Sequence, residues 1–421
     1  MRRRAGLLIL LLLVLGGLAL AGPHLWAWHH LRAARADLAR YHFDDARAHL
    51  GRCLRVWPRS ATAHLLAGRA ARQAGDLEAA DRHLRECQRL RQGATDDVTL
   101  EWSLLQAAAG NADEVEEYLH GRAAQSPDEA PLIWEALAQG YARVYRVLDA
   151  LALVDRWLEL RPEDVQALAV RGGVYRKVRA SQSAAADFRR AVELDPERDD
   201  ARWGLAVSLA EIGRYQEALT HLEQLRPRRA GDPELLVWAA RCLVRLERRD
   251  EARRLLEEVL AASPDYGPAL TNLGQLLVQA GRLEEAEGRL HQAVRAQPHN
   301  YLANYALYDC LNKQGKAAEA KTQLAVAEDI KGRLDRVAEI TTRQMSARPH
   351  DPALHCELGT LFIRGGNPDV GERWLFSALQ QDPNYRPAHA ALADLYRQRG
   401  DAERAALHRR QAEAPGPSGP G

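Results

Sequence analysis

Side chains able to ligate a metal or relay a proton crowd together at one place in the sequence: His350, Asp351, His355 and Cys356. Imidazole, carboxylate and thiolate are ordinary zinc ligands. No metal is expected at this cluster, and His29-His30 points to none either. No G-x-S-x-G, H-E-x-x-H, G-x-x-x-x-G-K or EF-hand loop occurs, so the usual routes to nucleophilic, metal-assisted or phosphate chemistry are missing. The carboxylate pairs Glu257-Glu258 and Glu284-Glu285 lie on helix faces that read as solvated, not as acid–base dyads. Cys53, Cys87, Cys242, Cys310 and Cys356 are odd in number, lie far apart and form no CxxC, which is neither a disulfide framework nor a zinc pattern. No catalytic, cofactor-binding or metal-binding residue is assigned, and the chain reads as a non-enzyme.

The elements that would have to position a site are then the question. The 421 residues carry 58 basic and 57 acidic side chains, for a net charge of +1. A nucleic-acid binder carries a basic excess to displace counterions, so no nucleic-acid partner is expected, and no small-molecule substrate. Only five of the basic residues are Lys, a bias that fits a GC-rich bacterial genome. Leu and Ala dominate over aromatics, which suits close-packed helices.

Arg2, Arg3 and Arg4 precede an apolar run from Ala5 to Gly22. Eighteen residues of helix span about 27 Å, enough for a bilayer core. Gly22-Pro23 is expected to break that helix, and Trp26 and Trp28 to sit in an interfacial aromatic belt. Ala19-Leu20-Ala21 also matches the small-x-small pattern of a cleavable signal. Residues 1–26 therefore read as a signal-anchor or transmembrane helix, or as a signal peptide. In both cases the long body is expected to cross the membrane, and in a Gram-negative cell to lie in the periplasm.

Beyond it, phrases recur: "AGDLEAADRHLREC" from Ala74, "GRYQEALTHLEQL" from Gly213 and "GRLEEAEGRLHQAV" from Gly281. Each contains a small Ala followed four residues later by a larger group. These alanines, Ala46, Ala80, Ala150, Ala184, Ala218, Ala252, Ala286, Ala320 and Ala405, mostly stand 34 residues apart. The period and the order of small and large slots resemble the tetratricopeptide repeat. Leu273-Gly274, Leu277, Gly281, Ala286, Leu290, Ala293 and Pro298 fill that family's slots in order, and the stretches from Pro131, Val165 and Pro352 do so nearly as well. The resemblance implies an all-α, right-handed superhelical solenoid of about eleven helix-turn-helix repeats over residues 27–413, preceded by the N-terminal hydrophobic helix. The first unit has a weak first helix, and the third has Val115 where the small Ala belongs. The resemblance also puts His355 in the family's Trp slot, which packs between helices, and His350 in a turn. From Tyr301 to Pro352 the spacing is 17 residues too long, with a helical stripe of Leu324, Ala327, Ile330, Leu334, Val337 and Ile340. This predicts a helix of about 30 residues, or one broken near Gly332, and an extended helical insertion near 328–350. It either packs on its neighbours or protrudes as an arm. "APGPSGPG" at 414–421 reads as a disordered tail.

The same resemblance puts the first helix of each unit on a concave, partner-reading face. Arg143, Lys177, Arg245, Lys313 and Arg364 then occupy equivalent late positions, with Arg176, Arg241 and Arg397 close by and Trp203 and Tyr305 adding aromatic surface. One reading is a basic stripe gripping an acidic partner segment. The other is cations favoured near helix C-termini by the backbone dipole. Glu211, Gln279 and Gln398 interrupt the row, and the Lys/Asn clamp of some chaperone-docking members is missing, Asn272 occupying a slot where Asn is common anyway. The expected function is a non-enzymatic scaffold for protein partners at a membrane, in envelope or periplasmic assembly. A cytoplasm-facing regulator similar in layout to lipopolysaccharide assembly protein B is an alternative, although this chain has no paired CxxC; a secreted soluble subunit is another.

Overall fold

The computed structural model describes residues 2–413, with side-chain surroundings from Ala21 onward, Ser346 excepted. The tail at 414–421 lies outside the described residues. Every regular element among them is helical. In order these are α1 (Arg2–Ala39), α2 (Phe43–Val56), α3 (Ala61–Gln73), α4 (Leu77–Arg91), α5 (Asp96–Ala109), α6 (Glu116–Gln125), α7 (Ala130–Arg143), α8 (Val147–Leu160), α9 (Val165–Lys177), α10 (Ser181–Leu194) and α11 (Asp199–Glu211). Then follow α12 (Tyr215–Leu225), α13 (Pro233–Arg245), α14 (Arg249–Ala262), α15 (Gly267–Gln279), α16 (Leu283–Ala296), α17 (Tyr301–Lys313) and α18 (Ala317–Glu339). The last four are α19 (Pro352–Arg364), α20 (Pro368–Gln381), α21 (Arg386–Gln398) and α22 (Ala402–Glu413). Taken two at a time they form eleven helix-turn-helix units, with α1 packed on α2, α3 on α4, α7 on α8, and each pair from α11 on α12 to α21 on α22. Their contacts divide into two units: residues to Lys177 with Asp187–Arg198, and Val178–Ala186 with Asp199 onward.

The repeat slots explain this packing. The small alanines from Ala46 to Ala320 are all buried, and each faces a neighbour that a longer side chain would push away. Glycine does the same in the first helices. A Cβ on Gly274 would lie 2.5 Å from Leu290, and one on Gly359 2.7 Å from Leu375. In each case the large residue sixteen positions later fills the space that the glycine leaves. The third unit is irregular, as its Val115 foreshadows. A 3-10 turn at Ala112–Glu114 precedes a short α6, and α5 packs chiefly on α7.

Two expectations about helix boundaries change. Gly22-Pro23 does not break the first helix, because α1 runs straight through Pro23 to Ala39. A proline forfeits one backbone bond and crowds the preceding turn. The residues beyond it are held in place regardless, since Ala27, Leu31, Ala34 and Leu38 pack against Ala46, Leu50 and Cys53 of α2. The first repeat's first helix is thus the C-terminal half of α1. The apolar segment expected to span a membrane, Ala5–Gly22, lies almost wholly where side chains are not described; among the described residues no helix is long and apolar enough to cross a membrane. Near the other end, α18 is not broken at Gly332. It continues through a π turn at Ile340–Gln344 into Met345–Ala347. The added length lies on α19: Arg336 makes a bidentate pair with Glu357 at 2.6 and 2.7 Å, Arg333 donates to the Arg364 carbonyl, and Ile340 is fully buried.

Candidate functional site

A groove of about 830 Å³ opens in the second contact unit. The start of α10, the end of α11, Tyr215 of α12 and one face each of α13 and α15 line it. Arg241 and Arg245 reach it from successive turns of α13, so the helical period puts both guanidinium groups on one face. The Arg241 guanidinium lies 4.1 Å over the Trp238 ring. Arg245 sits 5.4 Å over the Tyr215 ring and donates from Nε to the Tyr215 hydroxyl at 3.1 Å. Cation–π contact of this kind holds an arginine without neutralising it. Neither makes a salt bridge among the described residues. Desolvation lowers the pKa of Arg241, with Glu211 among the groups opposing the shift, but a guanidinium stays charged in any case. Asn272, Gln275 and Gln279 of α15 supply amides on the facing wall. Glu211 is the one acid lining the groove, and it accepts from Ser181 Oγ at 2.6 Å.

Arg241 and Arg245 are the two predicted residues that meet in this groove. Trp203 belongs to the same contact unit but lies under the Arg229 guanidinium at 4.7 Å. Lys313 pairs with Asp309, and Arg397 with Asp394, each at 2.8 Å, so both cations are neutralised on their own helices. Tyr305 is exposed, 5.7 Å from Tyr301 and 5.4 Å from Tyr308. Arg364 has its carbonyl engaged by Arg333.

In the first contact unit, Arg143 Nε donates to the Ala108 carbonyl at 2.9 Å, closing the end of α5. Arg176 is half-buried, and its Nε is buried without a hydrogen bond. The Lys177 ammonium sits 4.8 Å over the Tyr145 ring and is pushed down to about 8, by desolvation first and then by Arg143. Elsewhere in this unit the first helices pair with one another. Arg69 and Arg72 hold Glu101 at 2.5 and 3.5 Å, and Gln73 and Gln166 both donate to Glu135 at 2.7 Å. Burial raises the pKa of the Glu135 carboxyl.

Sequence reasoning missed Trp238, Tyr215, Arg179 and Gln275, and it set Asn272 aside. Trp238 stands one turn before Arg241, and that i, i+3 pairing was the available signal. His355 goes where its slot predicted, buried edge-on to Trp374 at 5.2 Å. Asp351 caps α19 by accepting from the Ala353 amide. Among the described residues no group of three potential ligands could hold a metal ion.

Family comparison places this architecture. A tetratricopeptide-repeat model matches residues 180–236, 209–273, 243–297 and 277–343, and a second matches 31–91. Together these cover just over half of the sequence, and the chain belongs to the tetratricopeptide-repeat family. Anaphase-promoting complex subunit 7 of Mus musculus is 28% identical over 179 residues, 42% of this chain and 32% of that protein. Cellulose synthase operon protein C of Pseudomonas fluorescens is 28% identical over 153 residues, 34% of this chain and 12% of that protein. The chain thus spans about a third of the first relative's length and less of the second's. Among solved structures, the human IFIT1 dimer with m7Gppp-AAAA aligns over 84% of this chain and 90% of its own, with 15% identity and a TM-score of 0.41. The Cut9–Hcn1 hetero-tetramer of the anaphase-promoting complex aligns over 93% and 81%, with 14% identity and a TM-score of 0.35.

Proposed function

We propose that this chain is a non-enzymatic scaffold that holds an extended, acidic segment of a protein partner in the groove of α13 and α15. One observation carries the reading: Arg241 and Arg245 are propped on aromatic rings and face an open groove with no carboxylate bound to them. Two fixed cations beside aromatic and amide surface suit a peptide that brings its own carboxylates, with backbone groups left for Asn272 and Gln275. Membership of the repeat family and the similarity to a subunit of a multiprotein complex support a scaffold. The apolar Ala5–Gly22 segment supports attachment to a membrane, with the repeats on the extracytoplasmic side, and the similarity to cellulose synthase operon protein C supports a role in envelope assembly.

In-cell photocrosslinking tests the groove. A crosslinking residue at Gln279 captures a partner that one at Arg295, exposed on α16, does not. Equal capture from both refutes the groove. A phosphatase fused to the C-terminus is active if the body is extracytoplasmic; an inactive fusion with an active cytosolic reporter refutes that placement.

A further inference from the structure

In the second and last units the fourth residue of the first helix stands opposite a residue nineteen positions later in the second helix, and His30 and His49 hold the same relation in the first unit. Other units place different pairs there, such as Leu236 and Leu255, Leu270 and Arg289, or His355 and Trp374. In the first, second and last units both are histidine: His30–His49, His64–His83 and His389–His408, with Nδ1 to Nδ1 distances of 2.7, 3.0 and 2.9 Å. At that distance one ring must donate and the other accept. For His64 and His389, Nε2 lies 3.1 and 3.0 Å from the carbonyls of Pro58 and Pro383. A carbonyl only accepts, so those Nε2 atoms carry the proton and their Nδ1 atoms accept from His83 and His408. In this arrangement both rings of a pair are neutral. One extra proton is accommodated on Nε2 of the second-helix ring, which still donates from Nδ1. A second is not, because two Nδ1–H groups would then face each other between two cations.

We propose that these pairs make the terminal repeats acid-sensitive: double protonation forces α1 from α2, α3 from α4 and α21 from α22, while the repeats between them, which hold no histidine pair at these positions, stay closed. Around each pair the cations equal or outnumber the carboxylates. Around the first pair stand His29, Arg52 and Arg55, against Asp37, whose oxygen is 3.9 Å from His49 Nε2. Around the second are Arg82 and, from α2, Arg47, against Asp76; Glu86, near His64, is already held by Arg89. Around the third are Arg404 and the Tyr396 and Phe376 rings, against Glu372 of α20, which Tyr396 and Arg399 already occupy. Burial first, and the partner imidazole second, lower the pKa of His30, His83 and His408. The unfolded chain therefore binds more protons below the ordinary imidazole value of about 6.5. The pairs' contribution is full above that value and is lost as pH falls through the lowered folded values.

The ninth unit supplies the same connections without a titratable atom. Asn304 Nδ2 donates to the Pro298 carbonyl at 3.0 Å, and Gln323 donates to Asn304 Oδ1 at 2.6 Å. That pair is the template for a test by hydrogen exchange on the full chain in detergent, at pH 7.5 and 5.0 and corrected for intrinsic rates. Acid lowers protection at least about tenfold, one pKa unit's worth, in 27–56, 61–91 and 386–413 but not in 267–296. The double variant His64→Asn, His83→Gln restores 61–91 in acid and leaves 386–413 sensitive. Uniform loss, no loss at the ends, or a variant as sensitive as the parent overturns the proposal. If the variant is unfolded at pH 7.5, NMR titration of the histidine rings in the unaltered chain decides. Two separated steps per pair support the proposal, and six independent steps near 6.5 overturn it.

Discussion

Replacing Gly140 with alanine is the most demanding check on how the units stack. Gly140 lies in α7, and a Cβ there would stand 2.0 Å from the Ala107 carbonyl oxygen and 2.9 Å from its carbon, both backbone atoms of α5. No rotamer change relieves that contact, so α5 and α7 must part by on the order of 1 Å, a gap that forfeits a quarter or more of the dispersion across it. Overpacking a close core costs about 1–3 kcal/mol and sometimes more, while alanine regains about 1 kcal/mol of helix propensity over glycine. A backbone clash belongs at the upper end, so Gly140→Ala is expected to lose about 2 kcal/mol. In a linear repeat array that loss stays with adjoining units, and hydrogen exchange over α5–α8 reads it better than a global melt. Gly288→Ala in α16, where nothing lies within 4 Å, is the control and gains up to about 1 kcal/mol. If Gly140→Ala leaves α5–α8 unchanged, or stabilises as Gly288→Ala does, the close approach of first helices is wrong.

Arg241→Glu with Arg245→Glu is expected to cut capture of an acidic partner at least about tenfold, the loss of one charged hydrogen bond or more, without changing the melting midpoint; unchanged capture refutes the groove reading. Lys177, pushed down to about 8, has about half its amines neutral at pH 8 against under about 1% for an ordinary lysine. An amine-reactive ester, read by mass spectrometry, should therefore mark it ahead of Lys313, Lys316, Lys321 and Lys331; labelling no faster than Lys331 contradicts its desolvation. All five cysteines are buried and free, and burial pushes Cys242 and Cys356 up to about 11. A thiol reagent at pH 7.5 should find less than one thiol per native chain and five after denaturation, and rapid native labelling of Cys242 would mean that the groove floor is open.

The stacking was legible in the sequence because a helix pair that cannot bury its apolar side alone must repeat the same slots. Gly274 against Leu290, and Ala286 beside them, could be read without coordinates. The neutralising partners of Lys313 and Arg397 were equally local, at Asp309 and Asp394, and they separate these cations from Arg241 and Arg245. What could not be read depends on neighbours distant along the chain. Tyr215 comes to Arg245 from a second helix thirty residues earlier, and Arg143 finds a carbonyl of α5 one repeat away. The course of α1 through Pro23 is decided by α2, whose packing outweighs the local preference to stop. The π turn after Glu339 follows no proline or glycine.

The continuity of α1 has a mechanical consequence. Its 38 residues rise about 1.5 Å each, giving a rod on the order of 57 Å long whose far half is already a working part of the first repeat. A glycine- or serine-rich tether would leave the body free to swivel and wander in height. Here, whatever grips the near end also sets the bearing and tilt of the first repeat, much as a keyed shaft does for the wheel it carries.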